Sequence, residues 1–242
     1  MNIEYWSDYA CPYCYIGETR LKKAIEAMGL ADDVQLTMRA FELDPTATPK
    51  VVSDTASRFA RKYGLTVDEA KERIEGISEL GRAEGIDFRY ADTQYSNTFD
   101  AHRLTKYARS VGNTAIEGLL FKAYFTDGMV LADHGVLIDL AVQAGLDERA
   151  VADVLASDAF AAEVRADEDE ARQLGVSGVP FFVLDGKVAI PGCFPEDGFK
   201  QAITQVLNDE LASMAAEGAA ACGPEGCPPA GAACGPEGCE VK

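Results

Sequence analysis

Residues 7–17, SDYACPYCYIG, constrain the fold more than any other stretch of the chain. They follow a short apolar run, residues 3–6, with the composition of a β-strand, and an amphipathic helix starts inside them. Cys11 and Cys14 are three apart, so on a helix they share a face and can reach bonding distance. Pro12 suits the first helical position, where its missing N–H costs nothing. That leaves Cys11 at the helix N-terminus, where unpaired N–H groups and the positive end of the macrodipole favour a thiolate. A thiolate is the nucleophile of disulfide exchange, so Cys11 is the expected attacking sulfur. Cys14, one turn deeper, is placed to resolve the mixed disulfide. A structural disulfide and half of a zinc site are the competing readings. Zinc asks for about four ligands, and no second C-x-x-C follows in the chain.

The first helix continues with Leu21, Ala24, Ile25 and Met28 at helical spacing, and Gly29 can end it. Val34, Leu36 and Met38 then alternate with Gln35, Thr37 and Arg39, a second strand. Strand, C-x-x-C helix, strand is the first half of a thioredoxin fold, with a right-handed crossover. The motif CPYCYIG after an opening strand resembles the DsbA-like thiol–disulfide oxidoreductases, above all their FrnE-like branch. The resemblance spans nearly residues 1–212. It implies an α/β chain: a thioredoxin fold with a central mixed sheet, interrupted by a large all-helical insertion. It also implies chemistry carried by the cysteine pair with no cofactor, Pro12 and Tyr13 tuning that pair, and protein disulfides or glutathione as partners.

A chain of 242 residues can bury one substantial core, and a 48% hydrophobic content fits a globular protein. Forty acidic residues against 22 basic ones give a net charge of −18, which repels nucleic acid and anionic lipid and reads as a solubilising surface. No apolar run approaches the roughly 18 residues of a membrane span. The opening MNIEYW has neither a basic region nor a long apolar core, so no signal peptide is expected and the expected location is cytoplasmic. Seven cysteines in that setting point to catalysis or metal binding rather than structural bridges.

Pro45 and Pro49 mark a boundary. Residues 1–48 are the first half of the thioredoxin fold, residues 49–175 the helical insertion. Ser53 or Asp54 can cap one helix, and Thr66 with Glu69 forms a capping box for the next. Asn97 and Asp100 open NTFDAHRLTKYARSVG, whose apolar stripe is Ala101, Leu104, Ala108 and Val111. Two more helices lie around Gly128 and Asp133. The acidic run 167–170 reads as a solvated helix face. NTFDAHRL and YFTDG resemble the FrnE-like insertion, which the family places over the active site, where it shapes substrate access. His102, one of two histidines, falls outside the stripe and so faces solvent or an interdomain surface. A structural role, substrate contact and a proton shuttle all remain open to it. His134, beside Asp133 at a helix start, attracts less interest.

Residues 176–214 supply the second half. Two β-rich runs flank Asp185-Gly186, a type I′ hairpin signal. Pro180 cannot donate to a sheet ladder and belongs at a strand end. The resemblance makes Val179-Pro180 the cis-proline loop opposite the C-x-x-C, with Val179 and Pro180 binding the substrate backbone. Counting outward from a two-residue turn pairs Leu184 with Lys187 and Val179 with Gly192. Cys193 then lies across from Gly178, at the proline end of the sheet, as a buried small residue or a third thiol. A closing helix carries Phe199, Ala202, Ile203, Val206 and Leu207.

Residues 215–242 form a flexible tail in which AACGPEGC occurs twice. Each Gly-Pro-Glu-Gly turn brings Cys222 towards Cys227, and Cys234 towards Cys239. Those pairs could serve as accessory dithiols or as thiolate metal ligands, and we expect no metal, for want of a second shell. Some FrnE-like proteins carry a single C-terminal C-x4-C. The whole chain thus reads as a cytoplasmic thiol–disulfide oxidoreductase or isomerase. A glutathione-dependent isomerase or transferase of the kappa class, of the 2-hydroxychromene-2-carboxylate isomerase kind, is the alternative, though that class typically has serine at the position of Cys11. A metal-binding protein working through the tail is the other. Monomer and dimer are both open.

Overall fold

A computed structural model describes residues 1–221, with side chains to residue 213. The tail cysteines Cys222, Cys227, Cys234 and Cys239 lie outside the described residues. Two strands open the chain, β1 (Asn2–Ser7) and β2 (Gln35–Ala40), with α1 (Pro12–Ala27) between them. Helices α2 (Thr55–Tyr63), α3 (Val67–Ala83), α4 (Phe99–Ser110), α5 (Ala115–Phe125), α6 (His134–Gln143), α7 (Glu148–Leu155) and α8 (Ala161–Gln173) follow. Strands β3 (Phe181–Leu184) and β4 (Val188–Pro191) and helix α9 (Glu196–Ala221) close it. Among the described residues, no helix is long and apolar enough to cross a membrane.

The strands form one mixed sheet in the order β2-β1-β3-β4, with β1 parallel to β2 and antiparallel to β3, and β4 antiparallel to β3. Strand periodicity sorts the side chains cleanly. Ile3, Tyr5, Phe182, Leu184 and Ile190 join the main core, while Trp6, Phe181 and Val183 turn to the opposite face, against Ala171 and Val176. The main core runs without a break from the sheet into the helices, through the stacked rings of Tyr15 and Phe121 and of Phe88 and Phe125.

Capping chemistry sets the helix starts as expected. Asp54 accepts from the Ser57 N–H, and Thr66 and Glu69 close a capping box. At α4 the cap differs: Thr98 holds the N-cap position without a side-chain bond, and Asn97 accepts from the Phe99 N–H at 2.9 Å. Val111, expected on the apolar stripe, caps α4 in the open at 57% exposure.

Two further expectations need correcting. The hairpin has the expected left-handed pair, Asp185 (φ 46°) and Gly186 (φ 66°), and the Lys187 N–H bonds to the Leu184 carbonyl at 2.9 Å. Beyond that turn Leu184 pairs with Val188, so Lys187 is an extra, bulged residue and the register shifts by one. Continuing it places Cys193 opposite Val179 rather than Gly178, at the same end of the sheet. The acidic run also departs from a solvated face, because Asp167 is buried at 3% exposure. Its carboxylate accepts from the Ala40 N–H at 2.6 Å and pairs with Lys106 and Arg39, tying α8 to β2.

Candidate active site

Strand β1 aims the motif. In the antiparallel ladder Trp6 is level with Phe181, so the chain leaves the sheet at Ser7 just where Pro180 enters it. Residues 8–11 turn back at once, with the Cys11 N–H on the Asp8 carbonyl at 3.0 Å. Cys11 then takes the N-cap position of α1 with extended backbone (φ −93°, ψ 114°), and Pro12 follows at the first helical position. Both halves of the site thus meet at one end of β1 and β3. The Val179–Pro180 peptide bond is cis, and the Cys11 Sγ lies 3.5 Å from the Val179 carbonyl oxygen.

Cys14 sits one turn further along, 1% exposed, and both sulfurs are free thiols. Burial pushes the Cys14 thiol well above its ordinary range, and the neighbouring Cys11 sulfur adds to that. The Ser7 hydroxyl, which makes no full hydrogen bond, and the Asp8 backbone N–H pull it back. Tyr13 stands 41% exposed over the pair, its phenol raised first by burial and then by the Cys11 sulfur. Such a phenol stays protonated at neutral pH and remains a donor.

Two residues without an assigned role hold this geometry, and a third lines the cavity beside it. Asp8, 2% exposed, accepts from the Ala10 N–H at 3.2 Å and from the Leu43 N–H at 2.8 Å, pinning the motif to the segment after β2. The short polar residue two before Ala10 carries the signature of an Asx turn, a signal available in the sequence. Gly17 lets α1 approach the proline loop: a Cβ there would stand 3.3 Å from Pro180 Cγ and 3.6 Å from Cys193 Sγ. Arg58, on α2, carries no local signal, because only the packing of helices over the motif brings it into the wall of the cavity that Cys11 also lines.

The structure decides between the settings left open for His102. Its ring is 1% exposed, 5.0 Å from the Tyr9 ring, with Nε2 3.6 Å from an Asp8 carboxylate oxygen. It therefore lies at the junction of the insertion with the motif, and offers a substrate no accessible edge. Helix α4 is enclosed on several sides by other elements, which also buries Arg103. That side chain donates to the carbonyls of Val154, Ser157 and Ala159 and to Asp100. His134 pairs with Asp100 at 2.8 Å. The NTFDAHRL segment is thus a structural lock, and helices α2 and α3 are what overhang the cysteines. Phe59 and Tyr63 from α2, and Ile77 and Leu80 from α3, roof a cavity of about 520 Å³ whose other wall is Cys11, Tyr13 and Val179.

Cys193 lies on the far side of Pro180, half-buried, with its sulfur 3.5 Å from the Arg20 guanidinium, which Glu84 holds at 2.7 Å. Burial raises this thiol and Arg20 opposes the rise. Among the described residues, no group of three or more His, Cys, Asp or Glu side chains could hold a metal ion.

The fold that carries this buried dithiol and cis-proline loop is one the chain shares with known proteins. It is 38% identical to a probable DsbA oxidoreductase from Streptomyces coelicolor, covering 100% of this chain and 99% of that one with a TM-score of 0.82. The Bacillus subtilis protein YwbO is 27% identical over 214 residues, 84% of this chain and 96% of that protein. The cytosolic disulfide reductase DsbM of Pseudomonas aeruginosa shares the fold at 15% identity, covering 86% of this chain and 99% of that one with a TM-score of 0.60. Residues 2–204 match the DSBA-like thioredoxin domain, and the chain belongs to that family.

Proposed function

We propose that this chain is a cytoplasmic thiol–disulfide oxidoreductase or isomerase of the FrnE-like kind, exchanging disulfides with proteins or with small thiols such as glutathione. The observation that carries the reading is the position of Cys11: N-cap of α1, its sulfur 3.5 Å from the carbonyl of the residue before the cis-proline, with Cys14 one turn behind. The Cys11 thiolate attacks one sulfur of a substrate disulfide. The Cys11–substrate S–S bond forms, the substrate S–S bond breaks, and the departing thiolate takes up a proton. Cys14, once deprotonated, displaces the second substrate sulfur, giving a Cys11–Cys14 disulfide and a substrate reduced by two electrons. Run backwards, the same steps oxidise a dithiol.

A kappa-class isomerase loses support at Cys11, where a thiol stands in place of the hydroxyl that class uses. The two tail pairs, Cys222–Cys227 and Cys234–Cys239, are proposed as a tethered relay to the Cys11–Cys14 pair. Tethering would hold them at an effective concentration on the order of millimolar. The central test is substitution. Cys11→Ser abolishes exchange with insulin or glutathione disulfide, and Cys14→Ser accumulates mixed disulfides on Cys11. Undiminished exchange in the Cys11→Ser protein would overturn the assignment.

A further inference from the structure

Cations gather beside Cys11 in a chain that carries a net charge of −18. Arg58, Lys62 and Arg73 line the 520 Å³ cavity, and no acidic residue does. A second cavity of about 510 Å³ shares Arg58 and Lys62 with it and adds Lys50 and Arg61, against one carboxylate, Asp44. The pairing pattern sets these five apart. Among the described residues, every other lysine and arginine except Arg149 has a carboxylate within 4.0 Å. Where carboxylates are in such excess, unpaired cations concentrated at one cavity mark a place kept open for another anion.

Arg58 is the sharpest of the five. Its guanidinium lies 4.1 Å over the Tyr95 ring, a contact that fixes its plane. Nε and Nη2 are both buried and have no hydrogen-bond partner. Those two nitrogens form one edge of the guanidinium, the edge that grips a carboxylate with two parallel bonds. Buried donors left unmade are costly, so this edge calls for an acceptor. The Tyr90 phenol, pushed up to about 12 by burial while Arg58 opposes the rise, stays protonated beside it as a further donor. The cavity volume lies in the range of small-ligand sites.

We propose that this cavity selects small thiols and disulfides bearing a carboxylate, which Arg58 grips while Lys62 and Arg73 supply the surrounding field. The proposal rests on the thiol–disulfide reading above and names its substrate class. The carboxylate end docks on Arg58 and leaves the sulfur end at Cys11, where exchange follows the steps already balanced.

The test uses the full chain, reduced, then mixed with three small disulfides of different charge: dianionic dithiodipropionate, neutral hydroxyethyl disulfide and dicationic cystamine. Acid quench, alkylation and peptide mass mapping follow formation of the Cys11–Cys14 bond separately from the tail thiols. Each rate is divided by that of dithiothreitol with the same disulfide. The expected preference for the dianion over the dication is about tenfold or more at low salt, shrinking as salt is added. Arg58→Gln lowers the dianion-to-neutral ratio about tenfold and Arg58→Lys restores part of it. Arg149→Gln, at an unpaired cation away from both cavities, leaves the ratio unchanged. Lys62→Gln, at an exposed position, gives the same direction of change if Arg58→Gln fails to fold. Calorimetric titration with thiodipropionate, a thioether that cannot exchange, reads binding alone. Binding to the parent chain that Arg58→Gln abolishes supports the site even if no disulfide reacts, in which case the thiol–disulfide reading falls. Ratios near one in the parent chain, together with no thioether binding, overturn the site and leave that reading standing.

Discussion

Cys14 must lose a proton before it can resolve a mixed disulfide, and its surroundings resist the loss. Burial and the Cys11 sulfur both raise its pKa, against the Ser7 hydroxyl and the Asp8 N–H. A raised thiol pKa means a neutral thiol at neutral pH, so the thiolate fraction grows as pH rises. Resolution of a mixed disulfide preloaded on Cys11 should therefore accelerate about tenfold per pH unit until the pKa is passed. Rapid-quench measurements between about pH 6 and 9 check the sign, and a flat profile would contradict it. Removing the Ser7 hydroxyl withdraws a group that favours the thiolate. At a contribution of about 1 kcal/mol, Ser7→Ala should slow resolution about fivefold at a given pH without altering attack by Cys11 on a substrate.

At the scale of elements, the acidic run in α8 divides into two kinds of residue. Asp167 joins Val164 and Ala171 on one helical face, and it is buried against β2 with Lys106, only 15% exposed, as a partner. Asp169 points outwards at 52% side-chain exposure. Asp167→Ala leaves the partly buried Lys106 ammonium and the Ala40 N–H unpaired and should cost about 2–4 kcal/mol. Asp169→Ala should stay within about 0.5 kcal/mol. Denaturant midpoints of the two variants decide it, and equal midpoints would refute the division. The spacing of Phe160, Val164, Ala171 and Leu174 already contained this: Asp167 occupies a position on that stripe, and a charge there calls for a buried partner.

Across the whole molecule, the excess of acid makes the folded chain repel itself. The basic residues that are paired are spread over many elements, while among the described residues all the unpaired ones but Arg149 crowd the cavities by Cys11. Screening should therefore stabilise the protein overall even as it weakens anion capture at that site. Raising sodium chloride from about 0.01 to 0.5 M is expected to lift the melting midpoint by a few degrees. A fall in the midpoint would mean that the ion pairs outweigh the net repulsion.

What the sequence by itself determined is local. The Pro12 position, the C-x-x-C spacing, the Thr66–Glu69 box, the Asp54 cap and the Asp185-Gly186 turn depend on neighbours a few residues away, and they stand in the structure as expected. The alternation in β2 was equally legible, because strand faces follow a period of two. Only tertiary structure decided the rest. The bulge at Lys187 follows from how β4 meets β3, and it moved Cys193 by one place. His102 is a polar side chain off the apolar stripe of its helix, and its neighbour Asp8 comes from a distant segment, so helical periodicity could not say that it was buried. The cations at the cavity come from α2 and α3, 47 to 62 residues along the chain from Cys11. Nothing local joins them to the motif: helix packing over the sheet end does, and with it the charge that meets a substrate.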